Sequence, residues 1–77
     1  MLRETDVVVL AVDVPEHGLK RGDVGTVVMV HGGEGYEVEF MTLDGETVAV
    51  TSLAADKVRP IARGEIAQAR NIDLIAR

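Results

Sequence analysis

The chain has no cysteine and no tryptophan, and only one tyrosine, one phenylalanine and two prolines among its 77 residues. Without cysteine there is no disulfide framework, no thiolate zinc site and no cysteine nucleophile, so the fold must rest on packing alone. Basic side chains are scarce as well: eight Lys and Arg against thirteen Asp and Glu give a net charge of −5. Duplex nucleic acid is held largely by Lys and Arg that neutralise phosphates, so this balance disfavours nucleic acid and favours a basic protein as partner. No stretch approaches the roughly eighteen uninterrupted apolar residues of a membrane span, and Met1 to Leu10 lacks the basic start and apolar run of a signal peptide. The expectation is a cytoplasmic protein with no membrane partner. A chain this short has room for a single core. Its 47% hydrophobic and 27% charged residues are the composition of a chain that folds.

What is present is organised by one shift. All thirteen valines lie between Val7 and Val58, whereas all four isoleucines, Ile61, Ile66, Ile72 and Ile75, lie beyond Pro60. Charge divides at the same place, with five basic and eleven acidic side chains in residues 1–60 and three and two in residues 61–77. Valine-rich runs punctuated by glycine read as a small all-β domain, and the Ala, Arg, Ile and Glu that follow read as helix. Residues 1–60 are therefore expected to form the body and residues 61–77 a helical C-terminal tail.

Within the body, Asp6 to Val12 is a continuous apolar run of strand length, expected to be buried on both faces. The Pro15 and Gly18 that follow mark a loop leading to the tight turn Lys20-Arg21-Gly22-Asp23. Val24 to His31 is the second strand, with Gly25 expected at a bulge or sharp bend. After the Gly32-Gly33-Glu34-Gly35 hairpin, Tyr36 to Met41 alternates, placing Tyr36, Val38 and Phe40 on one face and Glu37 and Glu39 on the other. Asp44-Gly45 favours a type I′ turn, pairing this strand with Glu46 to Thr51. Ser52 then caps a helical turn before a short last strand at Lys57 to Arg59, stopped by Pro60. Five short strands with this spacing are the inventory of an SH3-like barrel, whose closure would remove the exposed sheet edges.

The run Pro15 to Val28, with Gly35-Tyr36-Glu37-Val38-Glu39-Phe40, Asp44-Gly45-Glu46-Thr47 and Arg59-Pro60, resembles a bacterial family of small proteins known as a domain of unknown function. The resemblance spans about residues 5–60. It implies an SH3-like barrel and toxin–immunity or toxin–antitoxin surroundings, and implies no activity. Two other SH3-like groups share fragments. Lys20-Arg21-Gly22-Asp23-Val24-Gly25-Thr26-Val27 is similar to the KOW element of ribosomal and elongation proteins, but Lys20 and Arg21 are its only basic residues, and Tyr36 and Phe40, the aromatics available for base stacking, are assigned inward. Gly35 to Glu39 with Val48 to Thr51 looks somewhat like the plasmid-encoded dihydrofolate reductases. Ala49 and Thr51 replace the glutamine and tyrosine that chemistry requires.

Candidate sites are few. His17 and His31 have no cluster of ligands around them, so no metal site is expected. Ser52, the one serine, precedes Leu53 and not a glycine elbow, and Gly32, Gly33 and Gly35 lack the lysine and helix of a phosphate-binding loop. The reading is a non-enzymatic module with neither catalytic residues nor cofactor. Glu37, Glu39 and Glu46, joined by Glu34 and Asp44, form an expected acidic face suited to a cationic protein, for which a nuclease toxin is the natural example. In the tail, Ile72, Leu74 and Ile75 are candidate apolar anchors for that partner unless they are already buried on the body, and the tail is also the candidate contact between copies. The function expected is that of an immunity or antitoxin-like partner of a basic toxin; the alternative is a KOW-like RNA- or ribosome-associated domain.

Overall fold

A computed structural model describes residues 2–74. Five strands follow in order: β1 (Val7–Leu10), β2 (Val24–His31), β3 (Gly35–Met41), β4 (Thr47–Ala54) and β5 (Val58–Pro60). Every pairing is antiparallel and the strands form one open sheet in the order β4-β3-β2-β1-β5. The expected closure does not remove the edges, since β4 and β5 each have a neighbour on one side only.

The core is made by the valine pattern. Val8, Leu10, Val27, Val38, Val48 and Val58 surround Phe40, with Val14 and Leu19 folded in from the loop between β1 and β2. Side chains of this kind contribute about 1.5–3 kcal/mol each when fully buried. Among the described residues, all ten buried hydrophobic side chains precede Pro60. β1 is buried on both faces from Val8 to Leu10, while Val7 is exposed: Val8 and Leu10 enter the core, and Val9 is buried outside that cluster and lines a groove beneath the tail. In the loop, Val14 and Leu19 pair in an isolated bridge around the helical turn Pro15–His17, and Gly18 closes it with φ of 69°.

Four local expectations are corrected. Gly25 is not a bulge: it pairs regularly with Val8, and a Cβ there would stand 2.7 Å from Val38 Cγ1 and 2.8 Å from Phe40 Cε1. Its missing side chain lets β2 lie against β3, and the bulge falls at Val28, between the pairs Val27–Val38 and Met29–Glu37. The β3–β4 hairpin is not type I′, which needs positive φ at both central residues; Gly45 has φ of 99° and Asp44 is not left-handed. Instead Gly45 N–H bonds to the Thr42 carbonyl and Thr42 N–H to the Glu46 carbonyl, a three-residue loop. Ser52 does not cap a helix, because β4 runs on through it to Ala54 and the short helical turn begins at Ala55.

The fourth correction is the tail, where residues 61–74 contain no helix. Its ordering contacts are made with the body. At the start, Arg59 forks onto Glu65 with bonds of 2.9 and 2.5 Å, Glu65 also accepts the Ala62 N–H, and Gly64 takes φ of 85°. Farther on, Arg70 forks onto Asp23 with bonds of 2.8 and 2.5 Å and donates to the Gly18 carbonyl at 3.0 Å. An extended chain spans up to about 3.3 Å per residue against 1.5 Å in a helix, so it can reach both anchor points, and a helix of fourteen residues is marginal in water by itself.

Candidate functional site

The alternation of β3 places Val38 and Phe40 in the core with Tyr36 packed against it, and turns Glu37 and Glu39 to the outer face. Each carboxylate is held by neighbours on that face. Glu37 opposes Ser52, whose hydroxyl donates to it at 2.5 Å, and His31 Nε2 lies 3.2 Å from the same oxygen. The Ser52 hydroxyl bond, and secondarily His31, hold the Glu37 carboxyl below its ordinary value, so it remains ionised. Glu39 accepts a bond of 2.8 Å from the Thr47 hydroxyl.

The rest of the expected acidic face is dispersed. Glu46 bonds through its backbone to Thr42 at the turn, beyond the end of the Glu37–Glu39 row. Asp44 accepts the Thr42 hydroxyl inside the turn, and Glu34 sits in the β2–β3 hairpin at the opposite end of β3. Beside these polar partners, the two central glutamates have exposed apolar neighbours. Met29 opposes Glu37 and is 50% exposed; Val50 opposes Glu39 and is 52% exposed; Val28 and Met41 are also open to solvent. Met41 was legible in the sequence, since it continues the Glu37, Glu39 alternation. Met29 was not, because it shares the face of Glu37 only through the bulge at Val28, which has no local signature.

Ser52, Glu37 and His31 do not form a nucleophilic triad. A triad needs the imidazole between hydroxyl and carboxylate, where it can take the hydroxyl proton, and here the carboxylate is in the middle. Among the described residues no group of three or more His, Asp or Glu could hold a metal ion. The basic pair Lys20 and Arg21 lies in a turn between acids: the Lys20 N–H bonds to Asp23 and the Arg21 N–H to Asp13.

The tail candidates are used by the body itself. Ile72 is half-buried against the core cluster beside Gly18, where a Cβ would be 3.6 Å from its Cδ1, and Leu74 packs on the same cluster. Ile75 lies outside the described residues. Between the two arginine forks the chain bridges an open groove of about 1310 Å³, walled by Val9, Val24, Phe40, Ile61 and Ile72.

A family described as a domain of unknown function, DUF4926, matches residues 4–60, which takes in all five strands and stops where the tail begins. The chain belongs to this family. The DUF4926 match thus coincides with the core-forming body and leaves out the segment carrying Glu65, Arg70 and Ile72. No curated protein and no solved structure matches the chain. Among the described residues no helix is long and apolar enough to cross a membrane.

Proposed function

We propose that this DUF4926 chain is a non-enzymatic, cytoplasmic protein-binding module of SH3-like barrel type, acting as the immunity or antitoxin-like partner of a basic toxin. The observation that carries this reading is the pair of glutamates, Glu37 and Glu39, set among exposed Met29, Val50, Val28 and Met41. The two kinds of side chain do different work. Carboxylates accelerate encounter with a cationic surface and make it salt-sensitive, whereas exposed apolar side chains supply the burial that slows dissociation. Sheet geometry gives this pairing at little cost, since like charges on neighbouring positions cost only about 0.2–1 kcal/mol. Because Ile72 and Leu74 are engaged with the body, the anchor role passes to Met29 and Val50.

The test is affinity capture from native extract at low and high salt, with the intact chain and with Glu37→Lys, Glu39→Lys. Both proteins should melt within a few degrees of each other, and the reversed one should lose a basic partner that the intact chain holds at low salt. If the same partner is captured equally by both at every salt concentration, the acidic face is only a solvated surface. RNA binding that weakens steeply with salt and disappears in Lys20→Glu, Arg21→Glu would favour the KOW-like alternative instead.

A further inference from the structure

Among the described residues, the tail adds neither a strand to the sheet nor a buried residue to the core. Residues 61–71 are exposed throughout, and Ile66 is 93% open although it borders the groove that the tail bridges. What holds the segment is the Arg59 fork on Glu65, the Arg70 fork on Asp23 with its bond to the Gly18 carbonyl, and the half-buried Ile72 and Leu74 on the core cluster.

These attachments are weak beside what holds the body. The side chains of Arg59 and Glu65 are 44% and 33% exposed and those of Arg70 and Asp23 33% and 20%, and ion pairs this open to water contribute little and are screened by salt. Ordering the backbone costs free energy at every residue, and an exposed residue buries nothing to offset it. Segments with few buried apolar contacts belong to the part of a fold that opens first. The attachments are also coupled. Only four residues separate Glu65 from Arg70, so one closed fork keeps the other arginine and carboxylate close together and makes their pairing intramolecular.

We propose that residues 61–74 are a strap that undocks from the body as one unit while the sheet stays folded, with the two arginine forks as its latches. Docked, the strap screens the groove walled by Val9, Val24 and Phe40. Undocked, it opens that groove and removes the Arg70 guanidinium from the Gly18 carbonyl and from Asp23, which the Lys20 N–H keeps in place. The motion needs no partner, so it stands or falls independently of the basic-partner reading.

The sequence supplies separate reporters for the two parts, since every isoleucine follows Pro60 and every valine precedes it. Methyl spectra of the full chain labelled at isoleucine and valine, recorded through a urea titration, therefore read strap and body in one sample. Ile72, whose Cδ1 lies beside Gly18, is the docking reporter, and a peptide of residues 61–77 gives its free position. The Ile72 methyl should reach that position at lower urea than the valine methyls lose dispersion. Arg70→Ala should raise the undocked population about fivefold, the effect of losing a partly exposed ion pair, and leave the valine midpoint where it was. Arg59→Ala should move Ile72 in the same direction although its own fork is at the other end of the strap. Coincident midpoints for Ile72 and the valines overturn the proposal, as does an Ile72 methyl already at the free position without urea. An Ile72 transition that Arg70→Ala leaves unmoved shows that the fork is no latch, and one that only Arg59→Ala leaves unmoved shows that the strap is not a single unit; either result also overturns it.

Discussion

Replacing Gly25 with alanine adds one methyl group at the most crowded point of the sheet. The new Cβ would stand 2.7 Å from Val38 Cγ1, 2.8 Å from Phe40 Cε1 and 2.9 Å from the Glu39 carbonyl oxygen. Carbon atoms rest about 3.5–4.0 Å apart, so neighbours must retreat by most of an ångström. They have nowhere to go: Val38 and Phe40 are 0% and 2% exposed, and the third contact is backbone of the adjacent strand. Overpacking of this kind costs about 1–3 kcal/mol, against which the stiffer unfolded chain returns only about 0.4–1 kcal/mol. The net loss should lower the melting temperature by about 4–8 °C for each kcal/mol in a domain of this size. Thermal melts followed by circular dichroism, with urea titrations beside them, read it directly. Gly33→Ala is the control, since nothing lies within 4 Å of its Cβ position and its φ is not left-handed. Gly25→Ala with Val38→Ala relieves one of the three contacts, so its cost should be less than the sum of the single changes. If Gly25→Ala melts with the parent chain, the close approach of β2 to β3 is not what Gly25 is for, and the packing argument fails.

Other consequences follow from the tail and from the strained backbone. Residues 1–60 alone should give dispersed amide spectra and a cooperative melt, because every buried hydrophobic residue among those described precedes Pro60; a collapsed spectrum would show that Ile72 and Leu74 are needed to complete the core. Arg70→Ala should cost about 1 kcal/mol, the worth of a partly exposed ion pair, and Arg70→Lys should not restore it, since an ammonium cannot fork onto both Asp23 oxygens. The Arg59 guanidinium, with the Ala62 N–H, holds the Glu65 carboxyl down to about 2 from 4.5. A carboxyl depressed in the folded state stabilises above its unfolded value and loses that contribution as pH falls through the folded one, so tail docking should weaken between about pH 4.5 and 2, and Glu65→Gln should flatten that part of the stability profile. At Asp23 burial alone would raise the carboxyl, but the Arg70 fork and the Lys20 N–H outweigh it and the net direction is also downward, so the second anchor loosens in the same direction of pH. Thr5 has φ of 74°, which a β-branched side chain adopts only under strain, and Thr5→Asn should raise the melting temperature.

Local pattern was sufficient for much of this protein. The valine-rich runs and glycine turns placed five strands, the alternation of Tyr36 to Met41 named both the core side and the Glu37–Glu39 side, and the change from valine to isoleucine at Pro60 marked where the core and the family match both end. Those features depend on neighbours along the chain, which is why they are readable from it. The remainder depended on groups distant in sequence. Gly25 is a close-approach glycine because Val38 and Phe40 of another strand lie against it, and the bulge at Val28 is a mismatch between two strands, visible in neither alone. The tail reads as a helix from its composition, yet Arg70 finds Asp23, 47 positions away, and that fork together with Arg59–Glu65 ties an extended tail to the body, where an isolated helix of this length is only marginal in water. Only the folded sheet decided that β4 and β5 would be its two edges.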